Sequence, residues 1–129
     1  EECVVVAHSL GTVVAYNILS KPAAARNWKT PDFITLGSPL AVRRIQEEVR
    51  GLAGIVRCPV GVQRWRNAMD ERDIVALYAL TPKLFRLVPA KPEITNKTDV
   101  INETPNHHGI AGYLGDKEVA SWIHDALTS

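Results

Sequence analysis

A chain of 129 residues is enough for one domain and no more. Hydrophobic residues at 46% and charged residues at 22% are the mix expected of an ordinary soluble globular protein. A formal net charge of +1 leaves no electrostatic footprint for nucleic acid or an anionic membrane surface, and no apolar run is long enough for a transmembrane segment.

Cys3 to Ala7 is a short, continuously apolar, β-branched run, the signature of a strand buried on both faces. His8-Ser9-Leu10-Gly11 reads as a turn. Thr12 to Leu19 then reads as a helix with Val14 and Ile18 on its inner face, ended by Lys21-Pro22. Ala23 to Thr30 is a connection with room for one helical turn. Phe33 to Leu36 is a second strand, stopped by Gly37-Ser38-Pro39. Leu40 to Leu52 carries Ile45, Val49 and Leu52 at helical spacing, and Gly51 and Gly54 close it.

Val60 to Asn67 reads as a third strand whose mixed polar and apolar faces suggest the margin of a sheet. Asp73 to Leu80 is a short helix or turn, and Thr81 to Pro92 is irregular. Glu93 to Ile101 offers a fourth short strand around Ile94-Thr95 and Val100-Ile101. Glu118 to Leu127 is an amphipathic closing helix with Val119, Trp122, Ile123 and Leu127 facing inward. Strands alternating with helices imply βαβ units, hence an α/β fold with a mostly parallel sheet and helices on both faces.

Two cysteines, Cys3 and Cys58, do not make a disulfide framework, and a reduced, cytoplasmic setting is expected. Asn96-Lys97-Thr98 and Asn102-Glu103-Thr104 match the glycosylation acceptor pattern, which is short and frequent by chance, and both are discounted. The opening Glu1-Glu2-Cys3-Val4 starts at a strand with no initiator Met. It is read as a cut in a longer protein.

The most informative segment is Val4-Val5-Val6-Ala7-His8-Ser9-Leu10-Gly11-Thr12. A buried strand enters a helix through a tight turn with Ser9 at its apex. This is the context of a nucleophile elbow, whose usual pattern is Gly-x-Ser-x-Gly. Strain at the serine lets its hydroxyl project from the sheet, and small residues on either side permit close packing of helix on strand. Ala7 and Gly11 occupy those two positions. The Leu10 N–H, at the helix N-terminus, is a candidate oxyanion donor. The competing reading of Ser9 is a bare helix N-cap. His8 is assigned a structural role.

This strand-elbow-helix block resembles that of lipases and esterases of the α/β-hydrolase superfamily. Thr35-Leu36-Gly37-Ser38-Pro39-Leu40 looks like the strand that follows the nucleophile helix in many of them. The resemblance spans essentially the whole chain and implies the C-terminal part of a single α/β-hydrolase domain over 1–129, with N-terminal strands missing. It further implies an acid after the third strand. Asp73-Ile74-Val75 looks like the family's Asp-x-Val segment, so Asp73 is preferred and Asp70 is second. The base falls on the loop before the closing helix, where His108 precedes Tyr113-Leu114 at the family's spacing, with His107 second. His124 is read as surface or packing.

The resemblance implies a serine hydrolase acting on small-molecule or lipid-like esters, or thioesters, through Ser9, Asp73 and His108, with no cofactor and no metal. A second oxyanion donor would lie upstream of Glu1, so the isolated chain is expected to be nearly inactive. An acyltransferase with the same triad, or a non-catalytic binding module on the same fold, are the alternatives. A flavodoxin-like nucleotide site is excluded, because the turn lacks the glycine-rich phosphate fingerprint. Trp28, Trp65 and Trp122 are read as packing. Leu77, Leu80, Leu84 and Phe85 are read as core in preference to an acyl pocket.

Overall fold

A computed structural model describes residues 1–51, 54–89 and 91–129. Four short strands lie side by side in chain order: β1 (Val5–His8), β2 (Phe33–Leu36), β3 (Trp65–Ala68) and β4 (Ile94–Lys97). Every pairing is parallel, with Val5 opposite Phe33, Phe33 opposite Trp65, and Trp65 opposite Ile94. Parallel neighbours need long crossovers. Helices α1 (Leu10–Ser20) and α2 (Pro22–Ala25) link β1 to β2, and α3 (Arg43–Val49) lies between β2 and β3. Helices α4 (Ile110–Leu114) and α5 (Lys117–Thr128) follow β4. The chain is therefore α/β, as the alternation of elements implies.

Strand residues alternate between faces. Phe33 and Trp65 point to one face and pack with Tyr16 and Leu19 of α1. Ile34, Leu36 and Ala68 point to the other and pack with Val119, Trp122 and Ala126 of α5. Burial of each such large side chain contributes roughly 1.5–3 kcal/mol, so the two clusters hold the layers together. Asp116 caps α5, its side chain accepting the Glu118 and Val119 N–H groups.

Several expectations are corrected. The buried stripe of α1 is Thr12, Tyr16 and Leu19, while Val14 and Ile18 are exposed. The inward stripe is the one that continues the β1 core face. In α5, Ala126 is buried and Leu127 is exposed, so the inner face ends one residue earlier than expected. Leu52, assigned to the second helix, lies outside the described residues. The third strand is central, not marginal, and all four of its residues are buried. Its polar side chains are tolerated because each is partnered. Asn67 accepts from Thr35 Oγ1 at 2.7 Å and donates to Asn96 at 3.0 Å. Arg66 pairs with Asp32 at 2.5 Å. The 73–80 segment takes the turn form of its expected helix or turn, whereas Val100-Ile101 lies outside β4. Leu80 and Phe85 are core, whereas Leu77 and Leu84 are exposed. Among the described residues, no helix is long and apolar enough to cross a membrane.

The N-terminal end of the sheet carries one buried ion cluster. Fully buried Asp32 accepts from Arg64 Nε at 2.8 Å and from Arg66 Nε at 3.2 Å. The Arg66 guanidinium lies 5.3 Å from the Trp122 ring centroid and donates to the Trp122 carbonyl at 2.9 Å.

Candidate active site

The C-terminal ends of the strands form the opposite edge, where α/β sheets commonly bind ligands. The parallel ladder continues past the strands. Ser9 N–H donates to Leu36 O, Gly37 N–H to Ala68 O and Met69 N–H to Lys97 O, at 3.0, 3.0 and 2.9 Å. The loops that leave the sheet here are thus tied to one another at their first residue.

Ser9 joins β1 to α1 with φ 59° and ψ −134°. A left-handed φ in a non-glycine residue costs on the order of 1–3 kcal/mol and persists only where surrounding bonds impose it. Those bonds are visible: Thr12 Oγ1, fully buried, donates to Ser9 O at 2.7 Å and lies 2.8 Å from Ser38 Oγ. The Ser9 side chain makes no capping bond to α1, which disposes of the bare N-cap reading. Its Oγ lies instead 2.6 Å from His108 Nε2.

His108 Nδ1 lies 2.8 Å from Asp73 Oδ2. A carboxylate only accepts, so Nδ1 carries a proton, and in the neutral imidazole Nε2 then presents its lone pair to the serine hydroxyl. The Asp73 carboxylate takes four hydrogen bonds. Oδ2 receives His108 and the Tyr113 hydroxyl, the latter at 2.6 Å. Oδ1 receives the Val75 and Ala76 N–H groups at 2.9 and 3.1 Å. Burial pushes the Asp73 carboxyl up, but the hydrogen bonds from Tyr113, His108, Ala76 and Val75 together outweigh it and hold it below the usual carboxylate range. It is ionised at neutral pH. Burial, reinforced by the bond to Asp73, pushes the Tyr113 phenol well above its ordinary value, so it stays a donor.

The structure brings Ser9, Asp73 and His108 together and leaves the runner-up residues apart. Asp70 is buried against Arg72, whose Nη2 donates to it at 2.8 Å, and the Arg72 side chain holds its carboxyl far below the usual range. His107 Nδ1 lies 3.4 Å from Asn102 O. Leu10 opens α1, so its N–H has no carbonyl within the helix and remains an available donor beside Ser9. Among the described residues, no group of three or more His, Cys, Asp or Glu side chains could hold a metal ion.

One expectation about the elbow fails and another residue takes its place. A Cβ at Gly11 would meet nothing within 4 Å, because that position is exposed. Close approach governs Gly37 instead. With φ +56°, a Cβ there would fall 2.8 Å from Asp73 Oδ2 and 3.2 Å from His108 Nδ1. Gly37 therefore leaves room for the Asp73–His108 contact itself. Its signal in the sequence was only that of a strand stop, and Tyr113 served only as a spacing mark.

No family model, no curated protein and no solved structure matches this chain.

Proposed function

We propose that the chain carries the catalytic centre of a serine ester hydrolase of the α/β-hydrolase type. The observation that carries this reading is the pair of contacts made by one imidazole, 2.6 Å to Ser9 Oγ and 2.8 Å to Asp73 Oδ2. Three segments distant in sequence supply these groups, in the order Ser, Asp, His, at the strand ends where the fold type places them.

In this mechanism Ser9 Oγ attacks an ester or thioester carbonyl while His108 Nε2 takes its proton. Asp73, already ionised, stabilises the imidazolium across Nδ1–H. The Leu10 N–H meets the developing oxyanion, aided by the helix dipole. The imidazolium then protonates the leaving group, and a water deprotonated by His108 releases the acyl group from Ser9. The strained Ser9 backbone serves this chemistry by holding the hydroxyl out of its own helix.

The test is labelling of the full-length protein with a fluorophosphonate. Labelling should be lost in Ser9→Ala and should release the fluoride leaving group stoichiometrically with modification. Equal labelling of wild type and Ser9→Ala removes Ser9 as nucleophile and the reading with it.

A further inference from the structure

Three successive carbonyls of the loop that carries His108 are each taken by a side-chain donor from elsewhere in the chain. Asn102 Nδ2 donates to His107 O at 3.2 Å and to Gly109 O at 2.8 Å. His8 Nε2 lies 2.5 Å from His108 O. A carbonyl only accepts, so His8 carries a proton on Nε2, and the primary amide of Asn102 has one N–H for each of its two carbonyls.

Neither donor is itself loose. His8 ends β1, next to Ser9, and its ring stacks on that of His108 with centroids 4.7 Å apart and planes 30° from parallel. Asn102 is 1% exposed. Its backbone N–H donates to Asp70 Oδ2 at 2.8 Å, and its Oδ1 accepts Thr104 N–H at 3.1 Å and Thr104 Oγ1–H at 2.5 Å. A Cβ on Gly112 would fall 1.8 Å from Asn102 Oδ1, so the first turn of α4 is hollowed to admit this amide. The same engagement shows why the Asn102 acceptor motif is not a surface glycosylation site.

Loop carbonyls ordinarily face water, and a loop held by water alone drifts. Here both sides of His108 are fastened to protein. We propose that His8 and Asn102 are positioning residues for His108, a two-sided clamp on residues 107–109 that keeps the imidazole in line between Ser9 and Asp73. This rests on the reading of His108 as the general base. The clamp ties the base to the nucleophile strand through His8. Through Asn102 and Asp70 it ties the base to the segment that bears the acid. Misplacement of a reacting group by about 1 Å can cost on the order of 10²-fold in rate, which is the scale at which such a clamp acts.

The experiment compares His8→Phe, His8→Gln and Asn102→Ala in the full-length protein. Two readouts are used: the rate of fluorophosphonate labelling, and the downfield proton resonance of His108 Nδ1–H. His8→Phe keeps a stacking ring and loses the donor; labelling should slow by about 10- to 10²-fold and the resonance should broaden. His8→Gln restores an N–H donor and should recover most of the rate. Asn102→Ala should slow labelling further, and if it fails to fold, the His8 pair decides. Wild-type labelling and an unchanged resonance in His8→Phe overturn the clamp. Equal labelling of Ser9→Ala overturns the hydrolase reading instead, and the resonance still reports whether the clamp orients the imidazole toward Asp73.

Discussion

Two carboxylates, Asp32 and Asp73, are both almost fully buried, at opposite ends of the same sheet. Asp32 meets two arginines, Arg64 and Arg66. Its charge is cancelled by cations that do not titrate in the working range. Asp73 meets a phenol, two backbone N–H groups and one imidazole, and no Lys or Arg pairs with it among the described residues. Neutral donors hold its proton off without cancelling its charge. A compensated carboxylate fastens a fold, whereas one solvated by dipoles is left with a charge that can act on chemistry.

Exchange of one carboxylate for its amide should separate the two roles. Asp73→Asn should lower kcat by about 10⁴-fold, because the amide favours the wrong imidazole tautomer, and should cost less stability than the loss of Asp32, because an amide oxygen can still accept the Val75 and Ala76 N–H groups. A kcat within tenfold of wild type, measured with an activated ester, would erase the distinction. Asp32→Asn should do the reverse. It leaves two arginines facing one another and should cost on the order of 3–5 kcal/mol in denaturant unfolding, with labelling of Ser9 unaffected while the protein is folded. Gly37→Ala should slow turnover by about 10²-fold, since the added methyl must displace Asp73 or His108 and the backbone at φ +56° resists any side chain. Tyr113→Phe should be milder. One donor to Asp73 is lost, for about 1–3 kcal/mol of stability by thermal unfolding, and the acid limb of the activity profile should move to higher pH as the carboxyl rises.

The smallest effect concerns Asp70. Its folded pKa is lowered by Arg72, so its contribution is present above the ordinary Asp range of about 3.9 and is lost as pH falls through the folded value. Asp70→Asn removes that contribution at neutral pH. Its unfolding temperature should therefore decline less than that of wild type as pH falls from about 4 toward 2. Parallel declines would mean that the ion pair with Arg72 adds nothing.

The difference between the two ends also explains what was legible in the sequence. The apolar run Val4–Ala7 and the alternation of elements follow from local patterns and pointed to the class and the parallel sheet, and the apex position marked Ser9 as a candidate; the expected burial of that run on both faces fails at Val6, which is exposed in β1. Asp73 and His108 were reached through a resemblance, because no local spacing links residues 35 apart in sequence. Gly37 and Asn102 were hidden for a different reason. Each matters through an atom that approaches from another loop, and a glycine after a strand or an asparagine in a short acceptor motif reads the same whether or not that atom is there. Val14, Ile18 and Leu127 were misplaced because one helical period admits more than one apolar stripe, and only packing on the sheet selects between them.

The ladder bonds that run on from β1, β2 and β3 into the loops have a thermal consequence. Ser9, Gly37 and Met69 are each anchored by the strand alongside, so the groups at this edge share the cooperativity of the sheet and do not form a separately melting surface. Warming should then extinguish reactivity at Ser9 and the far-ultraviolet circular dichroism along a single curve, with no plateau in which a folded but inert protein accumulates.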